Sequence, residues 1–74
     1  MLVECHSDSD YADRPTALYW NGQRLEVEAV EQQWRTPEGK WFRVRTKDGQ
    51  VFELGYIEAE GEWRITLLSK SERL

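Results

Sequence analysis

Two groups of residues in this chain have the types and spacing that chemistry requires. The first is Cys5-His6 followed by Asp8 and Asp10. Zinc sites need four ligands, usually a Cys or His pair on each of two loops. Here one pair is present, its members are adjacent, and no second pair follows, so neither metal nor cofactor is expected. His6 is the single histidine and belongs to no Ser-His-acid spacing. A lone imidazole on an irregular segment is a poor platform for preorganised catalysis, and the expectation is that the chain is not an enzyme. The second group is Trp41, Arg43 and Arg45, alternating along one segment with Arg35 nearby. Alternation on a strand places such residues on one face. An aromatic and arginine face can anchor a protein partner or stack the bases of a single-stranded nucleic acid and hold its phosphates.

The elements that position these residues are strands. From Thr16 onward no window repeats apolar residues with a helical period. Glycines at 22, 39, 49, 55 and 61 separate short runs rich in β-branched and aromatic residues, the signature of hairpins. Asn21-Gly22 is the strongest turn signal, because a type I′ turn needs positive φ at both central residues. Closing the hairpin there pairs Trp20 with Gln23, Tyr19 with Arg24, Leu18 with Leu25 and Thr16 with Val27. Arg35-Thr36-Pro37-Glu38-Gly39 and Arg45-Thr46-Lys47-Asp48-Gly49 read as two copies of one turn. Each is expected to be a three-residue loop with glycine in the left-handed conformation.

Register then follows from face. A Lys47-Asp48-Gly49 loop sets Phe52 opposite Val44 and Leu54 opposite Phe42, all inside, and Arg43 opposite Glu53 outside. A one-residue slip would mix the faces. A Pro37-Glu38-Gly39 loop sets Trp34 opposite Phe42 inside. Outside it sets Arg35 opposite Trp41, Gln33 opposite Arg43 and Glu31 opposite Arg45. This register pairs Arg43 and Arg45 with carboxylates, and cross-strand charge pairs of that kind are worth roughly 0.2–1 kcal/mol each. Arg35 over Trp41 would be a cation–π contact. One parity conflict remains, since Leu25 and Val27 point inward and so do Val30 and Trp34. A β-bulge near Glu28-Ala29 resolves it and bends the strand. Trp63, Ile65 and Leu67 are expected to face inward on the last strand.

The fold expected is all-β, a five-stranded antiparallel meander curled into an SH3-like or partly open barrel over residues 16–68. Residues 1–15 are expected to be an irregular acidic arm, with residues 2–5 either a short strand or a disordered start. The arm, anchored by Tyr11, is a candidate for docking on a basic partner or covering a sheet edge. Residues 69–74 are expected to fray. A chain of 74 residues has room for one domain, whose core four Trp, three Tyr and two Phe can supply. The formal net charge of −4 opposes generic binding to phosphate backbones. The single cysteine, the absence of a basic-then-apolar start and the lack of any long apolar run lead to the expectation of a cytoplasmic protein without a membrane span.

The run Tyr11-Ala12-Asp13-Arg14-Pro15, then Trp20 to Val27, Trp34 to Pro37, Phe42-Arg43-Val44, Phe52-Glu53-Leu54 and Trp63-Arg64-Ile65 resembles a bacterial family of small cytoplasmic domains of unknown function. It is similar as well to a domain appended to Y-family DNA-polymerase-like proteins. The resemblance implies a bacterial stand-alone module with a link to DNA metabolism, and it carries no catalytic residues. The function expected is a non-enzymatic interaction module. Its partner is expected to be a protein, bound through a sheet edge or through Arg35, Trp41, Arg43 and Arg45. The alternative is a single-stranded nucleic-acid binder using the same face.

Overall fold

The computed structural model of the chain describes residues 2–8 and 11–70, with residues 6–8 and 11–13 as backbone alone. Six strands follow one another: β1 (Val3–Asp8), β2 (Tyr11–Trp20), β3 (Gln23–Thr36), β4 (Gly39–Thr46), β5 (Val51–Ile57) and β6 (Glu62–Ser69). They form one antiparallel sheet in the order β1-β2-β3-β4-β5-β6, curled into a half-barrel. Among the described residues no helix is long and apolar enough to cross a membrane.

The strand count corrects the expected five. The short strand considered at 2–5 is present from Val3 and runs on to Asp8, and the backbone of residues 6–8 and 11–15, read as irregular, pairs as part of β1 with β2. Strand pairing satisfies backbone groups whatever the side-chain period, and charged residues are ordinary on an edge strand. Pro15 sits opposite Cys5 next to a register shift, where a residue without an N–H is tolerated. At the other end β6 runs through Ser69, and residues 71–74 of the expected frayed tail lie outside the described residues.

The Asn21-Gly22 hairpin closes as its sequence requires. Both residues have positive φ (50° and 78°), and Trp20 faces Gln23, Tyr19 faces Arg24 and Leu18 faces Leu25. The β4–β5 hairpin is also in the expected register, with Val44 opposite Phe52, Phe42 opposite Leu54 and Arg43 opposite Glu53. Thr46 explains why this turn is so well defined. It is fully buried; its hydroxyl donates to Asp48 and accepts from the Gln50 amide at 3.1 Å, and its carbonyl accepts from Gly49 N–H at 2.9 Å.

The β3–β4 hairpin departs from expectation. Its loop has two residues, Pro37-Glu38, closed by Thr36 opposite Gly39. Trp34 therefore faces Trp41, Arg35 faces Lys40 and Gln33 faces Phe42. The Thr36 hydroxyl stabilises this shorter turn by accepting from Glu38 N–H at 3.2 Å and from the Trp41 indole N–H at 2.7 Å. Two register shifts interrupt the strand, one between Val27 and Ala29 that keeps Val27 and Val30 both inward, and one between Val30 and Gln32 that turns Trp34 outward. The first is the bulge that the parity conflict demanded; the second is an addition.

Val3, Leu18, Phe42, Val44, Phe52 and Leu54 form the buried core, with Cys5, Trp20, Leu25, Val27, Val30, Trp63, Ile65 and Leu67 packed around it. Trp20 meets Phe52 edge-on, with ring centroids 5.4 Å apart. Burying such side chains is worth about 1.5–3 kcal/mol each. On the outside, Glu4 ties the first three strands together. Its carboxylate accepts from the Tyr19 hydroxyl at 2.5 Å and pairs with Arg24 at 2.8 Å.

Two predictions follow from this packing. A Cβ at Gly55 would overlap ring carbons of Trp41, whose indole is held by Thr36. Gly55→Ala should destabilise the domain by about 1–3 kcal/mol, the usual cost of overpacking, and shift the Trp41 indole proton resonance. An unchanged melting midpoint would show that the indole moves freely. The second concerns acid. The hydrogen bonds from Arg24 and then Tyr19 hold the Glu4 carboxyl at about 2, down from its ordinary 4.5. A carboxyl depressed in the folded state stabilises above its unfolded pKa and loses that stabilisation as pH falls through the folded one. The stability gap between the wild type and Glu4→Gln should therefore be full above pH 4.5 and close progressively towards pH 2 in thermal melts.

Candidate functional site

The residues read as a binding face divide between two sides of the sheet. Trp41, Arg43 and Arg45 do share the outer face of β4, since Phe42 and Val44 between them are buried. Arg35 is not with them. Directly opposed residues of an antiparallel pair point to the same side, so the Arg35–Lys40 pairing puts Arg35 on the inner face. Its guanidinium pairs with Glu58 at 3.4 Å instead of lying over Trp41. Trp34, expected inside, takes its place outside and stacks on Trp41 with centroids 6.4 Å apart.

The outer face is closed by its own contacts. The β3 register skips Glu28 and Glu31, and both carboxylates converge on Arg45, at 2.8 Å from Nε and 2.7 Å from a terminal nitrogen. The expected Arg45–Glu31 ion pair is present, although Arg45 faces Ala29 in the ladder and Glu28 joins through the bulge; the expected Arg43–Glu53 charge pair is not formed among the described residues. Together Glu28 and Glu31 raise the Arg45 guanidinium pKa, the Glu28 hydrogen bond most. Trp41 lies over Gly55 with its indole N–H donated to Thr36. Arg43 stands between Gln32 and Glu53 in the ladder; its Nε is buried and has no hydrogen-bond partner among the described residues.

The inner face holds a feature that the sequence reading missed. Where the core ends, Val3 and Cys5 of β1, Lys40 and Phe42 of β4, Tyr56 of β5, Glu58 of the β5–β6 turn and Trp63 of β6 line a cleft of about 380 Å³. Ligand-holding clefts run from roughly 300 to 1,000 Å³, so this one suits one or two side chains. Its floor is a cross-strand row, Lys40–Tyr56–Trp63, each residue directly opposite the next, and Arg35 continues that row past Lys40 at the rim. Tyr56 and Trp63 rings lie 5.1 Å apart, and Phe42 meets Trp63 at 6.1 Å. The alternation Lys40-Phe42 and Leu54-Tyr56 carried the signal, since the correct β4–β5 register already implies Lys40 opposite Tyr56. What hid the cleft was β1, whose Val3 and Cys5 form one wall.

Among the described residues no three His, Cys, Asp or Glu side chains gather as metal ligands. The side chains of His6, Asp8 and Asp10, weighed above with Cys5 as zinc ligands, lie outside the described residues. The chain matches no family model, no curated protein and no solved structure.

The buried, unbonded Nε of Arg43 generates a prediction. An unsatisfied buried donor costs about 1–3 kcal/mol, and an apolar replacement of similar shape avoids that cost. Arg43→Met should leave the unfolding free energy unchanged or raise it by up to about 1 kcal/mol. A loss of more than that in chemical denaturation would show that the rest of the guanidinium makes a bond the fold needs.

Proposed function

We propose that the chain is a cytoplasmic, non-enzymatic interaction module that receives an extended segment of a protein partner in the seam between β1 and β6. The observation that carries this reading is the pairing order itself. Among the described residues the sheet runs from β1 to β6 without closing, so each terminal strand has an edge that no other described strand pairs. Unpaired edges present backbone donors and acceptors that a further strand can satisfy, and recognition by strand addition uses such edges with pockets for alternate side chains. The cleft lies between these two strands and supplies such a pocket, with Phe42, Tyr56 and Trp63 as its aromatic lining.

Of the two locations anticipated, a sheet edge and the outer face of Trp41, Arg43 and Arg45, this reading takes the first. On the outer face Arg45 is already held by two carboxylates, which weakens the case for that face as a phosphate-binding surface for nucleic acid.

An isotope-labelled sample titrated with unlabelled extended peptides carrying a central Phe tests the reading. Amide shifts should concentrate on Val3, Lys40, Tyr56 and Trp63. Tyr56→Ala should weaken binding about tenfold or more, as truncation of an aromatic anchor does, while Arg45→Gln leaves it unchanged. Shifts centred on Trp41 and Arg43, or oligonucleotide binding with a clear salt slope, would replace this reading with the nucleic-acid one.

A further inference from the structure

The rim of the cleft has a charge arrangement that the fold does not resolve by itself. Arg35 and Lys40 stand directly opposite each other on neighbouring strands, on the same face. Like charges so placed are destabilising, and sheets ordinarily avoid them or set a carboxylate between them. Among the described residues the lining of the cleft contains one carboxylate, Glu58, and Arg35 holds it at 3.4 Å. Lys40 forms no ion pair among the described residues. This ammonium is half-buried beside Tyr56, in the same row that leads to Trp63.

From this geometry we infer that the bound segment carries an acidic side chain that seats on Lys40, next to an apolar residue inserted against Phe42, Tyr56 and Trp63. The inference rests on the seam being the binding site and adds the chemistry of its occupant. An incoming carboxylate relieves the Arg35–Lys40 repulsion at the moment of binding, so charge complementarity here is gained only in the complex. Because the chain as a whole is net acidic, an anionic segment finds little attraction elsewhere on it. Lys40 thereby sets the register of the segment as well as its sign. Glu58, held by Arg35, keeps that second cation from competing for the same carboxylate.

The test is an oriented library of ten-residue peptides with a fixed central Phe and degenerate flanks, captured on the immobilised wild-type domain and sequenced as a pool. Asp and Glu should be enriched at one flanking position. Individual peptides with Glu or Gln at that position should differ about tenfold in Kd, and the difference should shrink as salt is raised. Lys40→Gln should abolish the acidic preference while retaining the preference for apolar residues. Arg35→Gln should reduce it too, because Glu58 is then released to pair with Lys40. Enrichment of apolar residues with no acidic position, or of Lys and Arg, would overturn the inference and leave the seam standing as the binding site. Capture of no peptide pool would overturn both. Thermal melts of each variant separate a lost preference from a lost fold.

Discussion

The rest of the structure depends on one constraint: β3 must serve two neighbours with different demands. Its first residues pair with β2, through Leu25 opposite Leu18, and its remainder pairs with β4, through Val30 opposite Val44. A regular fourteen-residue strand could not keep Leu25, Val27 and Val30 on one face, because side chains alternate with a period of two. The register shift around Glu28 removes the conflict, and a second follows around Glu31. Each extra residue bends the strand and increases its twist, so the sheet curls around Phe42, Val44, Phe52 and Leu54 instead of lying flat. The two residues expelled from the ladder are both glutamates, and both close on Arg45. Exposed ion pairs of this kind contribute little individually. Their value here is geometric: they hold two bulges against the strand they interrupt.

The curl gives the two faces of the sheet different fates. On the convex side the side chains splay and satisfy one another: Trp34 on Trp41, Trp41 on Gly55 and Thr36, and Arg45 on its glutamates. On the concave side they converge, and the core fills the centre. Towards the end that carries Tyr56 and Trp63 the filling stops, because β1 and β6 do not pair. Val3 and Cys5 face Trp63 across a gap instead of across a ladder. An open seam and an exposed aromatic floor are therefore two consequences of one incomplete closure.

Stability in such a small domain also depends on its turns. The buried Thr46 hydroxyl organises the β4–β5 turn through Asp48 and Gln50, and it lowers the Asp48 carboxyl pKa below the ordinary range. Lys47 N–H donates to the Glu26 carbonyl at 2.9 Å, which fastens this turn to β3 near the bend. The tip of the β3–β4 hairpin is held in the same way, by Glu58 N–H donating to the Glu38 carbonyl at 2.9 Å. Backbone hydrogen bonds thus fasten the β4–β5 turn to β3 near the bend and the β3–β4 tip to the β5–β6 turn.

Local rules determined much of this in advance. Asn-Gly demands positive φ twice, so its hairpin and register follow from two residues. Lys47-Asp48-Gly49 is constrained by the faces of Phe42, Val44, Phe52 and Leu54, and the Val27–Val30 parity conflict requires a bulge between them. These outcomes need no more than turn chemistry and a period of two. The length of the Pro37-Glu38 turn was not legible in the same way. A two-residue loop with an added bulge and a three-residue loop without one suit the local pattern equally, and the choice is made by the Thr36–Trp41 hydrogen bond and the space above Gly55. That choice moved Arg35 from the outer face to the rim of the cleft. The pairing of residues 3–8 with β2, and the cleft wall that β1 forms, were hidden for a related reason. The side chains there follow no period, and the pairing is made by backbone groups, which every sequence carries alike. The sequence by itself determined which residues form hairpins and which faces are apolar, because those depend on neighbours in the chain. Only the tertiary structure decided where the sheet stops closing, because that depends on how far two bulges turn β3 and on which edges are then left without a strand.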